Sequence, residues 1–207
     1  MMYKKLIICF EGIEASGKSL HLRNAASFLK KKKIPFLKIR EPGGSKNSEK
    51  IRKLILNNKS TFNKKTDLLL YLASRNENIE NIINKNYKKK VILIDRFIDS
   101  TIAYQHYGMK LDKKIIQTIN NYLLNKIKID FTFLHIVNVK NLKLRIIRRK
   151  VLNRYDKFSY AFYKNVQSGF IKQSQTNKKR YLVINSNKKI NENKKIIIEK
   201  LQKIIKI

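Results

Sequence analysis

Short apolar runs alternate along the chain with stretches in which apolar residues recur every three or four positions. The runs at 6–10, 35–39, 91–94, 131–137 and 181–184 predict five strands. Helical periodicity is expected over 17–32, 47–57, 66–85, 113–125 and 191–205. Strands alternating with helices predict an α/β fold: three layers, with a five-stranded parallel sheet flanked by helices. Because the strands are apolar throughout rather than alternating, both faces of that sheet should be covered. Ligands then belong beyond the carboxyl ends of the strands. No internal repeat or linker interrupts the pattern, and the polar stretch Asn185-Ser186-Asn187 reads as a loop. Residues 1–207 are therefore expected to form one domain.

The first strand runs into Gly12-Ile13-Glu14-Ala15-Ser16-Gly17-Lys18-Ser19, which is G-x-x-x-x-G-K-[ST] between a strand and a helix. Backbone N–H groups of such a loop converge on an anion, and the helix behind it presents its positive end. Lys18 is placed to reach the outer phosphates of a nucleoside triphosphate, and the Ser19 hydroxyl is a ligand for Mg²⁺. A plain glycine turn would not require the Gly-Lys-Ser ending.

Composition modifies this picture in two ways. The 207 residues carry 48 Lys and Arg against 14 Asp and Glu, a net charge of +34. Such a charge invites a nucleic-acid reading. The lysines, however, are spread along the whole chain and gather at element ends, as in Lys30–Lys33 and Lys88–Lys90, so a coding bias toward Lys, Asn and Ile explains them better. A positive field would still hasten the arrival of anionic substrates. The second effect concerns the scarce acids: Glu11, Glu14, Glu41, Asp95, Asp99 and Asp156 all fall in or beside motifs, which marks them as candidates for specific roles. The single cysteine, Cys9, excludes an intrachain disulfide and reads as a core residue. No apolar stretch approaches the roughly 18 residues of a membrane span. The start of the chain lacks a signal-peptide core, so a cytoplasmic protein is expected.

The remaining candidates sit at strand ends. Asp95-Arg96 closes the third strand, where an acid can hold Mg²⁺ through water and an arginine offers a fork of donors to phosphate. Arg40-Glu41-Pro42-Gly43-Gly44-Ser45 closes the second, with Arg40 as another phosphate clamp at the rim of a tight loop. Tyr71 and Arg75 lie four apart on a helix and could form a base pocket, although the pair alone fits core plus solvent equally well. Asp99, Ser100, Tyr104 and Gln105 follow on the next turns. Arg145, Arg148, Arg149 and Arg154 cluster near 145–157, which suggests phosphate recognition by a short lid. The histidines His21, His106 and His135 show no partner pattern and read as surface or core.

Taken together, Phe10-Glu11-Gly12…Gly17-Lys18-Ser19, Arg40-Glu41-Pro42-Gly43-Gly44 and Asp95-Arg96-x-x-x-Ser100-x-x-Ala103-Tyr104-Gln105 resemble the bacterial thymidylate kinases over nearly the whole length. The resemblance implies a P-loop nucleoside-monophosphate-kinase fold with a short lid, ATP and Mg²⁺, dTMP as phosphate acceptor, and a homodimer. By position it implies that Glu14 faces the sugar 3′-hydroxyl and that Arg40 and Arg96 grip the acceptor phosphate. Tyr71 stands where the family stacks a phenylalanine under thymine, and Arg75 would bond the base edge. Ser100 and Gln105 would complete the base contacts, while Tyr104 would crowd the sugar 2′ position. Ala15 follows the loop acid where one subgroup has arginine, so a lid arginine, Arg149 or Arg154, would assist transfer beside Lys18 and Arg96. Two other classes fit less well. A nucleic-acid-binding protein would leave the phosphate loop unexplained, and a deoxynucleoside kinase would not need two acceptor-side phosphate clamps.

Overall fold

Each apolar run becomes a strand that can be buried on both sides. The computed structural model describes residues 5–206. Strands β1 (Ile7–Gly12), β2 (Phe36–Arg40), β3 (Val91–Asp95), β4 (Phe131–Ile136) and β5 (Tyr181–Asn185) form a sheet in the order β2-β3-β1-β4-β5, with every pairing parallel. This is the expected five-stranded parallel α/β sheet. β2 and β3 each run one residue further than the apolar pattern, because Arg40 and Asp95 still pair across the ladder.

Successive side chains leave a strand on opposite faces, and β1 shows the consequence. Ile8 and Phe10 join Leu93 and Phe133 beneath Leu22, Ala25 and Leu29 of α1 (Lys18–Lys31) and Ile197, Leu201 and Ile205 of α9 (Ile190–Ile205). Ile7 and Cys9 point the other way, into a cluster with Ile92, Ile94, Ile79, Ile83 and Leu124. The last of these belongs to α6 (Lys113–Leu124). Cys9 is buried there, as its place in the first apolar run implied.

The expected helix at 66–85 is compound. Asn63 caps α3 (Lys64–Asn78) by accepting from Thr66 N, and the helix widens to a π-helical segment, Ile79–Ile83, before ending in α4 (Asn84–Asn86). After β3, α5 (Ile98–Thr101) likewise passes into a π-helical segment, Ile102–Gly108. α2 (Lys46–Leu56) packs on α3, and α7 (Val139–Ile147) follows β4.

One long helix, α8 (Tyr160–Thr176), is not among the elements the periodicity predicts. Its buried face is a narrow row of Tyr163, Val166, Gly169, Phe170 and Ser174, two of them without a sizeable apolar side chain. The glycines explain its place. A Cβ added at Gly169 would lie 2.5 Å from Cδ2 and 2.8 Å from Cβ of Tyr107, and one at Gly108 would lie 2.6 Å from the Phe162 ring. α8 thus packs against the segment carrying Tyr104 at a separation only glycine permits. Gly169→Ala should therefore destabilise the fold by about 1–3 kcal/mol in denaturant unfolding. An exposed helical glycine would instead gain roughly 1 kcal/mol from the same change, so the sign of the measured effect decides.

Candidate active site

The phosphate loop is shaped by one close contact. Gly12 pairs with His135 across β1 and β4, and a Cβ on Gly12 would lie 2.3 Å from the His135 carbonyl oxygen. Its φ of +140° and the +89° of Gly17, which leads into α1, are backbone states that favour glycine. Behind the loop, His21 and His135 stack with ring centroids 5.4 Å apart. Burial and the neighbouring His21 push His135 down to about 3, so it packs there uncharged. Lys18 is buried and donates to the Ile13 carbonyl at 3.2 Å. Burial, with the charge of Arg96, pushes its ammonium down to about 8. The Ser19 hydroxyl donates to Asp95, which joins the two expected metal ligands directly.

Asp95 reaches the loop because it pairs with Phe10 on one side and Arg40 on the other. The next residue, Arg96, adopts φ +66°. Its guanidinium donates to the Gly12 carbonyl at 2.8 Å, to Ser100 Oγ at 3.3 Å and to Glu14 Oε1 at 2.8 Å, and it lies over the Tyr104 ring at 5.0 Å. The Tyr104 hydroxyl donates to the other oxygen of Glu14. Glu11, fully buried, sits beneath this group and accepts from Phe97 N at 2.7 Å and Ser100 Oγ at 2.6 Å. Burial, reinforced by the charge of Asp99, pushes its carboxyl up to about 8.

These groups open onto a cavity of about 610 Å³. It brings together Glu14, Lys18 and Ser19 from the loop, Asp95, Arg96, Ser100, Tyr104 and Gln105 from β3 and the helix after it, Arg40 from β2, and Tyr71 and Arg75 from α3. Arg149, Asn153 and Tyr155 line it from the lid side. The other loop residues stand behind or beside it. Gly12 and Ile13 are buried, while Ala15, Ser16 and Gly17 line a smaller hollow of about 240 Å³ with Arg145, Ser186 and Asn193. Arg145 ties that hollow together, donating to the carbonyls of Ala15 at 3.1 Å and Ser186 at 2.6 Å.

Three arginines are engaged more closely with protein than their sequence positions suggest. Arg75 is 1% exposed and bonds Glu41 at 2.9 Å, Thr101 at 2.8 Å and Asn120, so only part of its guanidinium faces the cavity. Arg40 is exposed and grips Glu49. Of the two lid candidates, Arg149 lines the cavity beside its partner Asp156, whereas Arg154 is held by Asp67 and is not among the lining residues. Arg52 and Asp67 carry structural work that the motifs did not mark, whereas Glu11 braces the turn after β3. Arg145, expected in the phosphate-recognising cluster, is taken up by the Ala15 and Ser186 carbonyls away from the main cavity. Arg52 lines the cavity and bonds the Pro42 carbonyl. Scarcity was the available signal: in so lysine-rich a chain, each arginine and each acid merits the attention given to those inside motifs.

A family model described as thymidylate kinase matches residues 10–197. The chain belongs to the thymidylate kinase family. It is 37% identical over 201 residues to the thymidylate kinase of Acholeplasma laidlawii, covering 96% of this chain and 99% of that protein. The thymidylate kinase of Sulfurihydrogenibium sp. is 36% identical over 197 residues, covering 94% and 96%. A crystal structure of thymidylate kinase from Ehrlichia chaffeensis superposes with a TM-score of 0.78 at 30% identity, covering 96% of this chain and 99% of that one. The closeness of Gly12 to the His135 carbonyl sets a stability prediction for the loop. Gly12→Ala should cost more than about 2 kcal/mol in denaturant unfolding, because the clash is with a backbone oxygen that no rotamer change can relieve.

Proposed function

We propose that the chain transfers the γ-phosphoryl group of ATP to the phosphate of dTMP in one in-line step. An oxygen of the dTMP phosphate forms the new P–O bond as the bond from the γ-phosphorus to the β–γ bridging oxygen breaks. ADP leaves with that electron pair, and dTDP is formed. The observation that carries this reading is the single cavity in which Lys18, Arg96 and Arg149 converge from three parts of the chain beside the Ser19–Asp95 pair. The attacking oxygen is already ionised at neutral pH, so positioning and charge neutralisation suffice without a strong general base.

The loop from Gly12 to Ser19 would cradle the triphosphate, with Lys18 on its outer phosphates. Ser19 and Asp95 are hard oxygen donors already in contact, which suits Mg²⁺. Among the described residues no group of three or more His, Cys, Asp or Glu could hold a metal, so the ion would keep water and phosphate oxygens as its other ligands. When bound, Mg²⁺ would neutralise charge on the β- and γ-phosphate oxygens. On the acceptor side Arg96 and Arg40 would hold the dTMP phosphate, and Tyr71 would stack on the base, with Arg75, Ser100 and Gln105 around its edge. Glu14, held between Arg96 and Tyr104, would receive the sugar 3′-hydroxyl and fix Tyr104 where a 2′-hydroxyl would clash. Arg149, the lid arginine that lines the cavity, would assist transfer.

The reading extends to one kinase domain with a lid at about 145–157, and to a homodimer in the cytoplasm. α3 and α6 pack together, and Leu69 of the first and Ile115 and Tyr122 of the second are exposed large hydrophobics that a second copy would cover. No helix among the described residues is long and apolar enough to cross a membrane.

A coupled ADP-release assay over dTMP, dUMP, UMP, CMP and AMP tests the acceptor. dTMP should be used best, and faster turnover of UMP or CMP would replace the thymidylate assignment with a broader pyrimidine kinase. Chelation of divalent cations should abolish turnover, and restored Mg²⁺ should recover it. Lys18→Ala should lower kcat by about 100-fold or more with dTMP binding largely kept. Unchanged turnover in that variant would sink the site assignment.

A further inference from the structure

Asp67 lies in the first turn of α3, one turn before Tyr71, and is 3% exposed. It lies outside the phosphate loop and outside the motifs that mark the family resemblance. Its carboxylate accepts from the Arg154 guanidinium and, at 3.3 Å, from the Tyr155 hydroxyl. Arg154 opens the 3-10 turn Arg154–Lys157, which Asp156 locks by accepting from the backbone and side-chain nitrogens of Asn153. Asp156 also holds Arg149, the lid arginine in the cavity. An alternation of acid and arginine, Asp67–Arg154 and then Asp156–Arg149, thus runs from the acceptor-side helix through a rigid turn to the centre of the site.

Tyr155 adds a second link. Its ring meets Tyr71 and Tyr104 edge-on, each at 5.9 Å. Charge gives the arrangement its purpose. The segment at 148–157 carries Arg148, Arg149, Lys150, Arg154 and Lys157, and its Arg149 lines a cavity that already holds Lys18, Arg40, Arg52 and Arg96. Without anionic substrates, like charges oppose closure, and Asp67 supplies a buried countercharge at the place where the lid meets α3. A surface ion pair would contribute little. Here both partners are largely buried, so losing one strands the other.

We infer that Asp67 is a positioning residue for phosphoryl transfer, fastening the lid to the acceptor-side helix so that Arg149 is held in the cavity. Tyr71, which lines the cavity, couples the presence of a base to that fastening through its ring contact with Tyr155. The inference rests on the kinase reading for its consequence in turnover, but the fastening itself is a property of the free protein.

Hydrogen-exchange mass spectrometry of residues 149–158, with steady-state kinetics, tests it. In the free protein Asp67→Asn should speed exchange across the lid by about tenfold, with β1 and β3 unchanged. Arg154→Gln should do the same, and the double variant should be no faster than either single one, since both remove one interaction. In turnover Asp67→Asn should lower kcat more than it raises KM for dTMP. Saturating dTMP should slow lid exchange in the wild type, and less so in Tyr71→Leu, which keeps an apolar side chain but loses the ring contact with Tyr155. Wild-type lid exchange in Asp67→Asn, or effects of the two single variants that multiply, would overturn the inference. If dTMP slows nothing in the wild type while Asp67→Asn still loosens the lid, the acceptor assignment fails and the fastening stands.

Discussion

Arg96 joins the parts of this molecule that must act together. Its guanidinium reaches the phosphate-loop carbonyl of Gly12, the hydroxyl of Ser100 and the carboxylate of Glu14, and it lies on the Tyr104 ring. The loop after β1 and the helix after β3 are thereby referenced to one planar group. This depends on a left-handed backbone at Arg96, which a side-chain-bearing residue adopts at a cost of about 1 kcal/mol or more. Glu11 offsets that cost by accepting from the next backbone N–H. It depends also on register: Phe10 opposite Asp95 places the turn beside the loop, and a slip of one residue would turn Arg96 away. Burial weakens the arginine's charge, but Tyr104 and Glu14 more than restore it, so the group stays cationic for a phosphate.

The same logic governs charge throughout. Every ion pair among the described residues joins an arginine to a carboxylate, and no lysine takes part. Arginine's planar fork satisfies a carboxylate with two aligned donors and is less strongly hydrated, so it can be buried where an ammonium would remain in water. The abundant lysines stay largely outside, and the few acids are placed where arginines would otherwise repel one another. A chain of net charge +34 can therefore gather Lys18, Arg52, Arg96 and Arg149 around one cavity, because Glu14, Asp95 and Asp156 stand among them.

The division between what was legible and what was not follows the range of the interactions. Strand runs, the phosphate loop, Asp95-Arg96 and the Arg40-Glu41-Pro42-Gly43-Gly44 turn are local patterns, and the structure places them at one end of one parallel sheet as expected. α8 escaped because its buried apolar positions are only Tyr163, Val166 and Phe170, a short row interrupted by Gly169 and ended by Ser174. Arg75 and Arg154 could not be apportioned between ligand and protein from spacing. Their partners, Glu41, Thr101 and Asn120 for one and Asp67 for the other, lie 26 to 87 residues away.

The sequence by itself determined the chemistry available: a glycine-bearing loop with the Gly-Lys-Ser ending between a strand and a helix, a hydroxyl and a carboxylate of the kind that suits Mg²⁺, and arginines far fewer than lysines. It determined the fold class as well, because apolar runs without alternation have to be covered on both faces. Only the tertiary structure decided which arginine enters the cavity and which is held by Asp67, why Glu11 is buried, and which ring Tyr71 meets. Those are questions of desolvation and distance between segments far apart in the chain. A buried charge takes whichever partner the packing brings within reach, and no local pattern records that choice.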